Sequence, residues 1–317
     1  MSGFGIEDFR FSGSYVTRYH HCHGSAVLEE SIPGFKSNGV ERAASTLGTR
    51  LHKVFERILA ECNDILEAAA LLNRLADVWG KDRLMLLQVE KSYIVWWFMK
   101  EFEAPPIDFS IIELLHDVVP AYVEEDIETG TTISHLAKEI VTPPKMIRFL
   151  ADALRFIMEL HDETGGSEMY LESKRIAEWT QTKPKTSADV AMSNSIRLDI
   201  VDLKTGTIPV EAAHNEQLLY YVETYRDKEV ELWVHIVQPG AISSWQVPIE
   251  YLNEWVRSVL VAESAILGGS RTLSPGKHCQ FCPANPYTKG ERGTPSCPAQ
   301  VEALFGAEDL SIVLEED

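Results

Sequence analysis

Two short apolar runs, Asp189–Met192 and Ile196–Leu203, stand either side of Ser193-Asn194-Ser195, and the second closes on Asp202-Leu203-Lys204-Thr205-Gly206. Short apolar runs with a polar turn between them read as the two strands of a hairpin. Asp202 and Lys204 are two residues apart, so on a strand they face the same side. A buried strand seldom ends on a charged pair unless the pair is neutralised or holds a metal. Two convergent carboxylates, Asp189 and Asp202, make a hard-oxygen site suited to Mg2+ or Mn2+. On spacing alone the Asp202–Lys204 pair reads equally well as a surface ion pair at the mouth of a turn, worth about 0–1 kcal/mol.

The rest of the chain supplies helices and more strands. Ala43–Asn73 has Leu51, Phe55, Leu59 and Leu66 near helical spacing. Residues 83–103 carry Leu84, Leu86, Leu87, Val95, Trp96, Trp97 and Phe98, and read as buried helix or as helix followed by strand. Residues 130–162 suggest helices, one opening at Thr142-Pro143-Pro144 with an apolar stripe of Ile147, Leu150, Leu154, Ile157 and Leu160. After Gly165-Gly166 the pattern changes. Met169–Ile176 alternates like a strand, residues 211–226 are helical, and Val230–Val237 is a strand stopped by Pro239-Gly240. Ile242–Val247 is its hairpin partner and Tyr251–Leu267 a helix, while residues 1–40 read as irregular. The order predicts an α/β fold, a mixed central sheet flanked by helices. A helical N-terminal region, 1–165, and a sheet-bearing part, 166–317, are expected to integrate into one domain.

Composition excludes several classes. The 317 residues are 45% hydrophobic and 24% charged, too apolar for disorder across the chain. No run approaches the roughly 18 apolar residues of a membrane span, so no membrane role is expected. The opening MSGFGIEDFRF has no basic segment before an apolar run, so the expected compartment is the cytoplasm, without a secretory signal. The net charge of −19 argues at first against nucleic acid. However, nine acids and no Lys or Arg lie in 101–130, and six acids and no Lys or Arg in 300–317. These two blocks hold most of the imbalance and leave room for a basic groove elsewhere. They would suit a solvated face or a partner protein.

Two weaker motifs accompany the strand end. In Gly48-Thr49-Arg50-Leu51-His52-Lys53-Val54-Phe55-Glu56, His52 and Glu56 share a helical face, as a metal ligand with its neighbour or as a surface pair. Gln217 and Tyr221 are again four apart, and both can hydrogen-bond a phosphate or the lysine. Together, in order, these segments resemble the PD-(D/E)XK nuclease superfamily, in its RecB-like exonuclease branch. That branch joins a GTxxHxxxE helix to an Asp, an acid-x-Lys strand end and a QxxxY helix. The resemblance covers about residues 45–60 and 168–300; the acidic, helical-looking stretch between lies outside it. Ala188 stands where the name-giving motif has proline.

The resemblance implies a restriction-endonuclease-like core and a metal-dependent DNA exonuclease, acting on single-stranded DNA or DNA with a free end. It suits recombination, repair or phage DNA processing, in a bacterial or phage-infected cell, with a recombination or helicase protein as a possible partner. It implies that His52, Asp189, Asp202 and the Leu203 carbonyl hold the metal. Lys204 would then be base or electrostatic stabiliser, with Gln217 and Tyr221 positioning it or the DNA backbone. Glu172 and Glu56 are accessory acids at most. Trp96, Trp97 and Trp245 would stack bases or fill the core. The alternatives are an inactive or accessory DNA- or partner-binding subunit of the same fold, and a zinc-stapled structural module.

Five cysteines in a reducing compartment are buried, reactive or metal-bound. Cys62, between Leu59 and Leu66, reads as a core thiol. Cys279-Gln280-Phe281-Cys282 places two thiolates close enough to chelate one centre, with Cys297 after 14 intervening residues and Cys22 far upstream. Four thiolates suit zinc or an iron–sulfur cluster. RecB-like exonucleases of the AddB and CRISPR-associated type hold a 4Fe–4S cluster with one cysteine before the core and three after it. Cys22, Cys279, Cys282 and Cys297 match that order, so the resemblance implies a C-terminal cysteine-rich staple. Zn2+ is the alternative, with His20, His21, His23 and His278 nearby as substitute ligands.

Overall fold

The computed structural model describes residues 9, 11–26, 28, 43–81, 116–119, 122–126, 131–135, 138–141, 144–206, 208–227, 230–282, 297 and 299. In chain order its elements are α1 (Val16–His21), α2 (Ala43–Glu61), α3 (Ile65–Lys81), β1 (His116–Val119), β2 (Tyr122–Asp126), β3 (Thr131–His135), β4 (Lys138–Val141) and α4 (Pro144–Glu163). They continue with β5 (Glu168–Leu171), β6 (Arg175–Ile176), β7 (Lys185–Thr186), β8 (Val190–Ser193), β9 (Arg197–Leu203), α5 (Glu216–Tyr225), β10 (Glu231–Gln238), β11 (Ala241–Gln246), α6 (Ile249–Leu267) and a closing 3-10 turn (Lys277–Phe281).

A five-stranded mixed sheet runs in the order β11-β10-β9-β8-β5. β9 and β10 are parallel, Asp202 opposite Ile236, and the other neighbours are antiparallel. Parallel pairing requires a crossover, and α5 supplies it. In β9 every residue after Arg197 is buried, the mark of a strand covered on both faces. Alternation sends Val201 and Leu203 to one face, packed on Leu51, Val54 and Ile58 of α2 and on the Ile147, Leu150, Leu154 and Ile157 stripe of α4. Leu198 and Ile200 go to the other, against Leu218, Leu219 and Val222 of α5 and Leu252 and Val259 of α6. The result is the expected mixed sheet flanked by helices. Each fully buried aliphatic side chain contributes about 1.5–3 kcal/mol.

The secondary structure departs from expectation in three places. Residues 131–135 and 138–141 are strands, not helix, and pair with β2 and β1 respectively. Thr131, Thr132, Ile133, Ile140 and Val141 are β-branched and suit extended backbone. Parts of the acidic block 101–130 are therefore strand too. The expected strand Met169–Ile176 breaks at Glu172, whose φ is 42°. Lastly, α1 lies within the segment read as irregular; its six residues are too few to show a period. Cys62 sits just past α2 and is half-buried beside the core. Residues 83–103 and 300–317, with Trp96 and Trp97, fall outside the described residues. Among the described residues no helix is long and apolar enough to cross a membrane.

A polar chain crosses the α4-facing side of the sheet. Asp199 is completely buried, and its Oδ1 accepts from Arg197 Nε at 2.9 Å and Nη2 at 2.6 Å. His235 Nε2 lies 2.9 Å from the same oxygen, and His235 Nδ1 lies 2.8 Å from Ser244 Oγ. Removing one member leaves the others buried and unpaired. Asp199→Ala should therefore lower unfolding stability by about 3–5 kcal/mol in urea titrations, and a loss near that of an exposed pair would contradict this account.

Candidate functional site

The β5–β8 ladder pairs Leu171 with Val190. One step beyond it, the Glu172 N–H donates to the Asp189 carbonyl at 3.2 Å, so these two acids stand opposite each other where the strands part. The Asp189 side chain then turns to β9, its Oδ2 accepting the Leu203 N–H at 2.6 Å. Its Oδ1 lies 3.2 Å from His52 Nδ1, reached from α2. Ligand atoms of His52, Glu172 and Asp189 all lie within 4.8 Å of one another. Glu172 Oε2 also accepts from Ser187 Oγ at 3.0 Å. Its left-handed backbone costs of the order of 1–3 kcal/mol in a non-glycine residue, a cost that concentrates at functional sites.

Asp202 lies on the same face, buried to 4% exposure. Lys204 Nζ stands 2.8 Å from its Oδ2, yet that oxygen has no well-directed hydrogen bond. The same ammonium donates to Gln217 Oε1 at 3.0 Å, and Gln217 Nε2 donates to the Tyr221 hydroxyl at 2.8 Å. Asn215 caps α5, its side chain accepting from the Gln217 and Leu218 N–H groups, which fixes the turn bearing Gln217. α2 passes so near the loop after β9 that a Cβ on Gly48 would lie 2.9 Å from Thr205 Oγ1. Glycine there lets the His52 helix dock on the Lys204 loop.

Charge repulsion and burial set the electrostatics. Burial, then the Asp189 charge, push the Asp202 carboxyl up to about 6 against the pull of Lys204. Burial and Asp189 likewise raise Glu172. Burial lowers the His52 imidazole, but Asp189, Asp202 and Glu172 outweigh it, and its pKa rises. Burial also raises the Tyr221 phenol, which stays protonated. Acids held together at this cost fit a divalent cation, and the Asp202 oxygen, ion-paired with Lys204 but without a well-directed hydrogen bond, fits a ligand atom.

The structure thus brings together His52, Glu172, Asp189, Asp202, Lys204, Gln217 and Tyr221. Glu56 is half-buried on α2 but is not in the group formed by His52, Glu172 and Asp189. Glu172 is more central than its sequence context showed; the signal was its place one residue past the β5–β8 pairing, masked by the 14 residues between Glu172 and Ser187. Trp245 is half-buried, packed on His214 and Tyr251 at ring distances of 4.8 and 5.4 Å.

Cys22, Cys279, Cys282 and Cys297 are each buried and line one small cavity with Arg18, Leu28 and His278. The Gly276 N–H points at Cys279 Sγ, 3.4 Å away, as backbone donors do at metal-bound thiolates. Gly24 N–H donates to Thr272 O at 2.8 Å, and a Cβ on Gly24 would lie 2.5 Å from the Arg271 carbonyl. The N-terminal Cys22 segment is thereby pinned to the chain entering the cysteine turn. Four buried sulfurs around one cavity fit a shared metal centre.

The raised Asp202 pKa has a stability consequence. The unfolded carboxyl titrates near 3.8 and the folded one near 6, so the metal-free protein loses stability as pH rises through that window. Asp202→Asn should stabilise the metal-free protein at pH 7 by about 1–3 kcal/mol, and by nothing at pH 3.5, in urea titrations with chelator present. A variant less stable than wild type at pH 7 would overturn this.

Among solved structures, one described as the crystal structure of SSO0001 aligns with 16% identity and a TM-score of 0.26, covering 44% of this chain and 71% of the other. No curated protein sequence matches the chain. One family model matches residues 10–294, a range that takes in Cys22, Cys279, Cys282 and the acid–lysine cluster and stops short of Cys297. The chain belongs to that family, DUF2800, described as a protein of unknown function.

Proposed function

We propose that the chain is a metal-dependent deoxyribonuclease of the PD-(D/E)XK type, a RecB-like exonuclease acting on single-stranded or free-ended DNA. One observation carries the reading: Asp189, Asp202 and Lys204 converge at the end of a buried strand with His52 and Glu172 on one side and the Gln217–Tyr221 pair on the other. His52, Asp189, Asp202 and the Leu203 carbonyl would hold Mg2+ or Mn2+, with Glu172 beside them. Such an ion, when bound, supplies an acidified water and charge neutralisation at a phosphoryl oxygen.

The protein's own groups then have defined tasks. Asp202, with its carboxyl pushed up to about 6, would meet a cation as a carboxylate at pH 7 and would have to lose a proton first only in more acid solution. The Lys204 ammonium lies between Asp202 and Gln217, where it can donate to a phosphate oxygen gaining charge or orient the attacking water. Gln217 uses its carbonyl on Lys204 and its amide on Tyr221, so the lysine is held by a partner that is itself held. Cys22, Cys279, Cys282 and Cys297 would hold a 4Fe–4S cluster as a staple between the chain's two ends.

Lys204→Ala should cut cleavage of end-labelled DNA by about 10²–10³-fold, the scale of losing one positioned charge donor, with an unchanged circular dichroism spectrum. Gln217→Ala, a positioning change, should cost less and act on kcat more than KM. Full activity in Lys204→Ala would overturn the assignment. Wild-type protein that is folded, metal-loaded and inert on DNA would favour the accessory-subunit reading. Protein purified without oxygen should contain iron and acid-labile sulfide, and Cys282→Ser should lose both and melt lower. Zinc in place of iron would overturn the cluster.

A further inference from the structure

A second convergence of ligand-type side chains lies away from the acid–lysine site. α1 ends on His20 and His21, and both imidazoles meet Glu216, the first residue of α5. His20 Nδ1 is 2.6 Å from Glu216 Oε1, and His21 Nε2 is 3.2 Å from Oε2. All three ligand atoms fall within 4.8 Å of one another. The carboxylate is already oriented: Trp255 Nε1–H donates to Oε1 at 3.0 Å. That is the outer-shell hydrogen bond by which proteins aim a metal-binding carboxylate. Glu216 Oε2, by contrast, is buried and accepts no hydrogen bond, although the His21 nitrogen faces it. At these separations the imidazoles share protons with the carboxylate, and a cation bound here would take the protons' place.

The surroundings favour the cation. The three residues line a cavity of about 790 Å³ that also takes in Tyr251, Lys277 and His278. His278 lines the cysteine cavity as well, and its ring stacks on His21 at 5.7 Å. Two histidines and a glutamate with room for a fourth ligand is the donor set of an open zinc site.

We propose that His20, His21 and Glu216 form a binding site for a divalent cation of the zinc class, with its open coordination position facing this cavity. The site is separate from both the acid–lysine cluster and the four cysteines. It takes a small oxygen ligand, water or an anion, as its fourth partner. It also ties α1 to the start of α5 by a bond stronger than a histidine–carboxylate pair. The proposal is independent of the nuclease reading.

Cobalt(II) is the probe, added to full-length Asp189→Asn/Asp202→Asn protein so that the other oxygen-rich site is disabled. The expected result is one bound equivalent with weak visible d–d bands and no intense thiolate-to-cobalt charge transfer. His21→Ala should weaken binding at least tenfold, since even outer-shell partners cost about 10–100-fold. His21 is half exposed at a helix end, with 49% of its side chain accessible, so the fold should survive its loss, as circular dichroism would check. Glu216→Gln keeps the Trp255 bond and shape but removes the charge, and should weaken binding likewise. No bound equivalent, unchanged binding in both variants, or a charge-transfer band tracing the cobalt to cysteines would each overturn the proposal. Loss or retention of DNA cleavage does not enter the readout.

Discussion

A carboxylate at the buried end of β9 is the constraint on which the rest of the site depends. Asp202 is almost wholly removed from water, and its charge is opposed by Asp189 across the strand. Isolated buried charge is expensive, and a partner repays the expense only with good geometry. Here the partner, Lys204, is close to Asp202 but directs its hydrogen bond to Gln217. The protein thus keeps an under-compensated acid in its interior. A packed core of aliphatic side chains on both faces of β9 makes that tolerable, because the strand cannot move to relieve it. Local destabilisation carried by a rigid scaffold is the usual sign of a site kept for binding rather than for stability.

Three separate chain segments must meet for this acid to be useful. β9 supplies Asp202 and Lys204, the β5–β8 pair supplies Glu172 and Asp189, and α2 brings His52 from the opposite layer. Each is located by backbone rather than by its own side chain. The Leu203 N–H fixes Asp189, the ladder fixes Glu172, and the absent side chain of Gly48 lets α2 approach Thr205. The site's charged groups therefore need little mutual attraction to find one another, and their repulsion is overcome by hydrogen bonds elsewhere in the sheet.

The sheet and its helices were legible because their signals are local. The hairpin at Ser193-Asn194-Ser195, the stripe from Ile147 to Leu160 and the Asp202–Lys204 spacing each report a period or a turn within a few residues. The His52, Asp189 and Gln217–Tyr221 positions were legible as an ordered set, although each alone is ambiguous. What stayed hidden depends on contacts distant in sequence. Glu172 joins the cluster through a pairing interrupted by the small β6–β7 ribbon. The strands at 131–141 lie among residues with mixed signals, where β-branching outweighed an apparent helical spacing. Asp199 is one more charge within a strand, and its complete burial is explained by Arg197 on the same strand and His235 on the neighbouring one. Glu216 sits beside Gln217, and nothing local links it to His20 and His21, almost two hundred residues earlier.

The first turn of α5 shows how closely the fold couples these features. Consecutive residues there serve different neighbourhoods: Glu216 faces α1 and Trp255 of α6, while Gln217 faces Lys204. Residues one apart on a helix point about 100° from each other, so one turn can address two sites. Asn215 caps that turn and thereby fixes the direction of both side chains. α1 in turn runs directly into Cys22, so a shift of the cysteine-bearing end would be felt at Glu216 and, one residue on, at the glutamine that holds the lysine. α1, the cap and the acid–lysine cluster are joined by one path of packed and hydrogen-bonded groups. Cys22 stands at the far end of that path, next to His21 and away from the acids.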